Sequence, residues 1–147
     1  MPTSFQQGAG LIHYYNRHKF HFLGITWHEQ IGRCLTILSC PGDWPEGNLS
    51  FPLRQDIALP ASGPVSLRAS VRGQALQCSY RAQGMAEFSK IGPILDAAVI
   101  SDEGGRGEHA SFTGAFIGMA AFDITGSAIC ADYKYFIYEP VTGSAIT

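Results

Sequence analysis

The sequence lacks any apolar run that approaches the ~20 residues a helix needs to cross a bilayer. Its first ten residues, MPTSFQQGAG, contain no basic segment followed by an apolar core. We therefore expect no membrane segment and no export signal, and we place the chain in the cytoplasm. Charge is also scarce, at 15% of residues with a formal net charge of -2. Without an extended basic surface, neither nucleic acid nor anionic lipid is an expected partner.

Cysteine is rare and shows no paired pattern. Cys34, Cys40, Cys78 and Cys130 have no CxxC spacing, and all but Cys40 lie within strand-like apolar runs. In a reducing compartment this pattern favours buried free thiols, with a two-disulfide framework as the alternative.

The composition indicates one β-rich domain over residues 1–147. The chain is 46% hydrophobic and contains 17 Gly and 8 Pro, which is typical of a globular protein rich in turns. Short apolar runs recur at regular spacing with turn signals between them, and no internal repeat or heptad is present. This pattern predicts an all-β, antiparallel two-sheet sandwich of jelly-roll kind.

The clearest hairpin is predicted around Gly73. Before it, Val65, Leu67, Ala69 and Val71 alternate with Ser66, Arg68, Ser70 and Arg72. A period of two places the first set on the core and leaves Arg68 and Arg72 in solvent. After the turn, Leu76, Cys78 and Tyr80 continue the inward set.

A second hairpin is predicted for residues 112–138, where two apolar runs, 115–124 and 128–138, flank the turn around Gly126. Because both runs are apolar on both faces, we expect them deep in the sandwich, with Phe116 and Phe122 in the core. Residues 91–102, IGPILDAAVISD, are expected to form a short helix or an irregular crossing, because Gly92-Pro93 disfavours a strand interior.

Candidate catalytic or metal-binding groups are present without a motif that unites them. Five histidines occur, but no HExxH or Cys/His set accompanies them, so ordinary surface or strand histidines are favoured. Two of the many carboxylates could serve a glycosidase, but the sequence does not show which of them converge. Trp44, in a Pro- and Gly-rich segment, is either a loop anchor or a platform for a sugar ring.

Several blocks of the sequence resemble one protein family closely enough to be specific. GAGLIHYYN, FHFLGITWHE, GPVSLRASVRGQALQCSY, IGPILDAAVISDE, FTGAFIGMAAFDITG and ADYKYFIYE resemble, in order, the C-terminal β-sandwich module of family 43 glycoside hydrolases, the β-xylosidases and α-arabinofuranosidases. The resemblance covers residues 5–139 and implies a concanavalin A-like fold. In that family a separate five-bladed propeller holds the catalytic carboxylates, and the sandwich narrows the sugar pocket with a loop and an aromatic side chain.

The resemblance therefore implies an accessory module, non-catalytic by itself, that shapes a xylo-oligosaccharide pocket beside a propeller subunit. On the Gly-rich loop 104–111 and the block after it, His109 and Phe112 are the candidates for sugar contact. The alternatives are a freestanding carbohydrate-binding sandwich, with Trp44, Trp27 or Tyr14 as stacking platforms, and a structural relic without ligand.

Two further expectations follow from the resemblance. Family modules begin with strands before the block that matches residues 10–16, and only a few residues precede it here. A sandwich lacking those strands is expected to carry an open edge and to form a homo-oligomer, most simply a two-fold dimer. No cofactor is required, but such sandwiches often hold a structural calcium, for which Asp132 with backbone carbonyls is the candidate.

Overall fold

The computed structural model describes residues 1–42, 49–102, 104 and 114–140. Within these ranges, eight strands follow one another, with one short 3₁₀ helix, Ala97–Ile100, after the seventh. The strands are β1 (Gln7–Asn16), β2 (Lys19–His28), β3 (Gly32–Pro41), β4 (Ile57–Ala58), β5 (Val65–Arg72), β6 (Ala75–Ala82), β7 (Ser89–Asp96) and β8 (Phe116–Asp123).

These strands form two antiparallel sheets, which confirms the all-β sandwich. The large sheet has the order β4-β3-β2-β1-β8 and the small sheet the order β5-β6-β7. Consecutive strands are joined mainly by tight turns, while β8 returns from the far end of the chain to pair with β1 along its whole length.

The core lies between one face of the large sheet and the small sheet. Leu23, Leu35 and Ile37 contribute from the large sheet, and Leu76, Cys78, Ile91 and Leu95 from the small one. The cross-strand pairs Leu23↔Ile37 and Ile25↔Leu35 show that alternate residues of β2 and β3 share this core face. The residues that alternate with these along β2 and β3 therefore lie on the outer face.

The hairpin around Gly73 is confirmed. β5 and β6 pair from Val65↔Ala82 to Arg72↔Ala75, and Gly73 adopts a φ of 57° that glycine tolerates best. Arg68 and Arg72 are exposed as predicted, and the Arg68 guanidinium lies 3.7 Å from the centre of the Phe88 ring.

The interpretation of residues 91–102 was wrong for its first half. β7 runs through Gly92 and Pro93, and only Ala97–Ile100 is helical. The strand tolerates both residues because it is an edge with a bulge: Leu76 pairs with Leu95 and Cys78 with Ile91, so three residues of β7 face Gln77 alone. The Gln77 amide donates to the Ile91 carbonyl at 3.1 Å and stabilises this irregularity.

The second predicted hairpin was also wrong. β8 forms, and Gly126 in the following turn has a φ of 81°, but residues 128–138 form no strand and are mostly exposed. Phe116, expected in the core, is 60% exposed. Cys130 is exposed, while Cys34, Cys40 and Cys78 are buried. The reason for Phe116 is its register, since it alternates with Ile117 and Met119 on the core side of β8 and therefore lies on the outer face of an edge strand.

Phe122 packs on the outer face of the large sheet. Its ring meets that of Phe22 edge-on, with 5.8 Å between ring centres. Both rings lie over glycines: a Cβ on Gly8 would stand 2.6 Å from the Phe122 ring, and one on Gly24 would stand 2.1 Å from the Phe22 ring. The glycines of β1 and β2 therefore make room for the aromatic rings of this face.

Candidate functional site

The residues predicted to contact sugar are spread over the chain. His109, Phe112 and Trp44 lie outside the described residues. Trp27 lies near the end of β2, half-buried, with its ring 3.5 Å from the position of a Cβ on Gly32. The Trp27 ring therefore lies beside the turn at Gly32.

Tyr14 lies in an aromatic row. It pairs with Phe20 on β2 and with Phe116 on β8, so three aromatic side chains stand side by side across three strands of the outer face. Tyr14 is 37% exposed and Phe116 more so. This row was not predicted from the sequence, because it depends on the pairing of β1 with a strand a hundred residues away.

Residues 96–102, here called the strap, link β7 to the segment that holds His109 and Phe112. The strap is tied down at its start by the carbonyl of Asp96, which accepts a hydrogen bond from His21 Nε2 at 2.9 Å. The Asp96 carboxylate accepts from the Ala98 amide at 2.9 Å and so caps the 3₁₀ helix.

The end of the strap is held by Lys19. This side chain is fully buried, and its ammonium donates to the Ser101 carbonyl at 3.1 Å. It also lies 3.9 Å from the centre of the Tyr15 ring, a cation–π contact, while the Tyr15 hydroxyl donates to the Asp102 carboxylate. Burial lowers the pKa of Lys19 below its usual value, and the negative charge of Asp102 acts in the opposite direction.

His21 holds the start of the strap in a defined tautomer. A carbonyl oxygen can only accept, so Nε2 must carry the proton toward Asp96, and Nδ1 accepts from the Ser39 hydroxyl at 2.7 Å. His13 lies directly opposite on β1. Burial, together with His21, lowers the pKa of His13 from 6.5 to about 4. Burial also lowers the pKa of His21, against the opposing effect of Asp96.

Sequence reasoning missed this polar cluster. It treated the five histidines as ordinary surface or strand residues. In the structure, one end of the large sheet carries a set of buried polar residues on its core side: His13, Tyr15, Lys19, His21 and Ser39. The available signal was their period of two, which continues the apolar positions Leu11, Leu23 and Ile37 along the same strands.

A cavity of about 330 Å³ lies at the opposite side of the core, next to the edges β5 and β8. Its floor is the core face of the large sheet, including Leu11 and Met119, and its rim includes the first residues of β5. Residues 131–135 cross it: the Tyr133 hydroxyl donates to the Ala120 carbonyl at 2.7 Å, and the Tyr135 hydroxyl lies 3.0 Å from Ser66 Oγ.

Asp132, the calcium candidate, lies in the wall of this cavity and is exposed. Among the residues that the structure describes, no group of three or more Asp, Glu, His or Cys side chains is placed to hold a metal ion. Among the described residues, a calcium ion at Asp132 would therefore have to be bound mainly by backbone carbonyls, as the sequence-based expectation supposed.

Comparison with known proteins places this fold in a family. A family model for the beta xylosidase C-terminal concanavalin A-like domain matches residues 1–139. The chain is 44% identical over 141 residues to xylosidase/arabinosidase 43B of Humicola insolens, covering 95% of this chain and 26% of that protein. It is 36% identical over 141 residues to the beta-xylosidase of Bacillus subtilis (strain 168), covering 94% and 25%.

A solved structure agrees with these sequences. The xylan beta-1,4-xylosidase from Bacillus halodurans C-125 superposes with a TM-score of 0.78 at 34% identity, over 86% of this chain and 23% of that one. The chain thus spans about a quarter of the length of these relatives. On the family match, the sequence identity and the shared fold, this chain belongs to the beta xylosidase C-terminal concanavalin A-like domain family.

Proposed function

We propose that the chain acts as the accessory sandwich of a β-xylosidase-like glycoside hydrolase and is non-catalytic by itself. The observation that carries this proposal is the coverage: nearly all of this chain aligns with only a quarter of enzymes named xylosidases. The catalytic carboxylates implied by the family resemblance belong to a propeller, which would act on a xylo-oligosaccharide beside the sandwich.

The position of the strap on the large sheet supports this role. Its two ends are held on the large sheet by His21 and Lys19, so the chain enters residues 103–113 from a well-defined position. We propose that Phe112, with His109, narrows the pocket around the terminal sugar. A side chain that lines a pocket needs such a fixed support to contact substrate in one geometry.

A chimera tests the proposal. The matching region of the Humicola insolens enzyme is replaced by residues 1–139 of this chain, and hydrolysis of an aryl β-xyloside is measured. The chimera is expected to be active, and Phe112→Ala is expected to lower its kcat/KM by about tenfold or more, while Phe51→Ala, an exposed aromatic on another loop, serves as the matched control. Equal activity of the two variants would remove Phe112 from the pocket.

The isolated chain provides the complementary measurement. We expect no hydrolysis of aryl β-xylosides by the purified chain, and turnover that follows the protein through purification would contradict the non-catalytic role. Phe112→Ala should cost under ~1 kcal/mol of stability if the side chain is exposed, against ~3 to 5 kcal/mol if it is buried in the core.

The aromatic row of Tyr14, Phe20 and Phe116 favours a second candidate, a sandwich that binds carbohydrate on its own. Aromatic rings exposed on a sheet offer faces for sugar C–H groups. Titration with xylobiose distinguishes the two functions, because only a binding module should give a saturable change in protein fluorescence that Tyr14→Ala abolishes.

We propose a cytoplasmic location. Support comes from Cys34 and Cys78, which are buried free thiols, as expected in a reducing compartment. In addition, none of the helical structure within the described ranges has the length and hydrophobicity to cross a bilayer.

A further inference from the structure

Within the described residues, Arg33 is a buried cation without a carboxylate partner. It lies on the core face of β3, where it pairs with Trp27 across the strands, and it is 7% exposed. Its two terminal nitrogens donate to the carbonyls of Pro60 and Gly63, each at 3.0 Å. Carbonyl groups are neutral, so these bonds satisfy hydrogen atoms but leave the positive charge uncompensated.

The other N–H groups of the Arg33 guanidinium lack enough hydrogen-bond acceptors among the described residues. Its Nε is buried and makes no hydrogen bond, and in the described part of the chain no carboxylate forms an ion pair with the guanidinium. Burial lowers the pKa of Arg33 below its ordinary value. A guanidinium stays protonated in proteins, so the buried charge costs free energy until an anion joins it.

Arg33 also lines the cavity beside β5 and β8. At about 330 Å³, this cavity is at the lower end of the ~300 to 1,000 Å³ of small-molecule sites, and this size suits one sugar residue better than a chain. Most of its wall is apolar, and two tyrosines, Tyr133 and Tyr135, contribute aromatic surface. A pyranose ring can pack its C–H faces against such a wall while a polar group is held at Arg33.

We propose that this cavity binds a small sugar acid, of the hexuronate class, through an ion pair between its carboxylate and Arg33. A planar carboxylate matches the planar fork of a guanidinium. A phosphate group is less suited, because the charged residues of the lining, Arg33, Lys134 and Asp132, sum to a single positive charge, which one carboxylate balances. No residue of the strap lines the cavity, so this proposal does not depend on the proposed accessory role.

Paired ligands test the charge requirement on the wild-type chain. The melting temperature and intrinsic fluorescence are followed during titration with D-glucuronate and with D-glucose, which has the same ring without the carboxylate. Glucuronate is expected to raise the melting temperature saturably and to bind at least about tenfold more tightly than glucose, a ratio that corresponds to 1.4 kcal/mol. Acetate and inorganic phosphate are titrated in parallel to separate the carboxylate, the ring and a general anion effect.

Three variants locate the site. Arg33→Met keeps the aliphatic stem and should abolish the preference for glucuronate, while Arg68→Met removes an exposed arginine of β5 and should leave it unchanged. Because Arg33 also holds the Pro60 and Gly63 carbonyls, the first variant is open to a folding defect. Asp132→Asn avoids that defect, since the residue is exposed, and is expected to tighten glucuronate binding without changing glucose binding.

Each outcome is decisive. Saturable binding of glucuronate that depends on Arg33 and strengthens in Asp132→Asn supports the site. Three results overturn it. They are equal binding of glucuronate and glucose, no binding of either sugar at a concentration 20-fold above ~1 mM, and tighter binding of phosphate than of glucuronate. Loss of the preference in Arg68→Met would place the anion on the outer face of β5 instead.

Discussion

His13 and His21 lie directly opposite each other on β1 and β2, and both are buried on the core side of the large sheet. Two imidazole rings in this position are tolerated while both are neutral. The arrangement ties the stability of the fold to pH.

We predict that acid destabilises the chain between pH 6.5 and 4. The pKa of His13 is lowered to about 4 in the folded state, so the unfolded chain binds the proton first as the pH falls. Stability present above pH 6.5 is therefore lost toward pH 4, by about 3 kcal/mol for a shift of this size. His21, whose pKa is also lowered, acts in the same direction.

Chemical denaturation at a series of pH values measures this loss. In His13→Gln the decrease should be smaller, while His28→Gln, at the exposed end of β2, should retain the full decrease. Asp123 titrates in a separate window: hydrogen bonds from Ile129 and Thr125 lower its pKa to about 2, so its effect falls below pH 4. A wild-type stability that is constant from pH 6.5 to 4 would contradict the histidine mechanism.

A second prediction concerns the glycines under the aromatic rings. Gly24→Ala would place its Cβ 2.1 Å from the ring of Phe22, which is 3% exposed and has little room to move. We expect a loss of about 1 to 3 kcal/mol from overpacking. Gly118→Ala, on β8, has no atom within 4 Å of the new Cβ and should be neutral or slightly stabilising. Thermal melts of the two variants are compared, and equal melting temperatures would show that the Phe22 ring moves freely.

We predict further that the chain is a two-fold dimer in solution. In the described part of the chain, β8 is an edge strand with no strand on its outer side. Phe116, Ile117 and Met119 are exposed on it and no charge occurs before Asp123, so it offers a strand edge and apolar surface to a second copy. Light scattering should give about twice 15.9 kDa.

The variants Ile117→Lys and Ile94→Lys place a charge on β8 and on β7, respectively. Both side chains are exposed, so neither change should prevent folding. Only Ile117→Lys is expected to yield monomer. A mass of 15.9 kDa for the wild type that does not change on dilution would rule out the dimer.

The calcium predicted from the family resemblance is tested with a chelator. If Asp132 and backbone carbonyls hold an ion that stabilises the fold, EDTA should lower the melting temperature of the wild type, and Asp132→Asn should remove that sensitivity. A melting temperature that EDTA leaves unchanged would argue against a stabilising calcium.

The parts of the fold that were predictable are those fixed by neighbours in the sequence. The β5–β6 hairpin followed from the alternation before and after Gly73, because both strands and their turn lie within 18 residues. Residues 128–138 looked equally apolar, yet whether an apolar run becomes a buried strand depends on what pairs with it and covers it. That information is not contained in the run.

The site was less predictable for the same reason. His13, Lys19 and His21 are ordinary strand residues in the sequence, and their role appears only when the strap, some 80 residues later, is placed over them. Arg33 likewise gave no signal, since a single arginine at a strand start is usually solvated. Long-range pairing decides which polar residues are buried, and local patterns do not encode it.

Because of the bulge at Gly92 and Pro93, only one edge of the small sheet is suited to pair with a further strand. Pro93 has no N–H, and the bulge disrupts the regular spacing of hydrogen-bonding groups along β7, so this side is a poor template for a further strand. The β5 side keeps a regular backbone over eight residues. Any strand that extends this sheet, from the same polypeptide or from another, is therefore directed to β5.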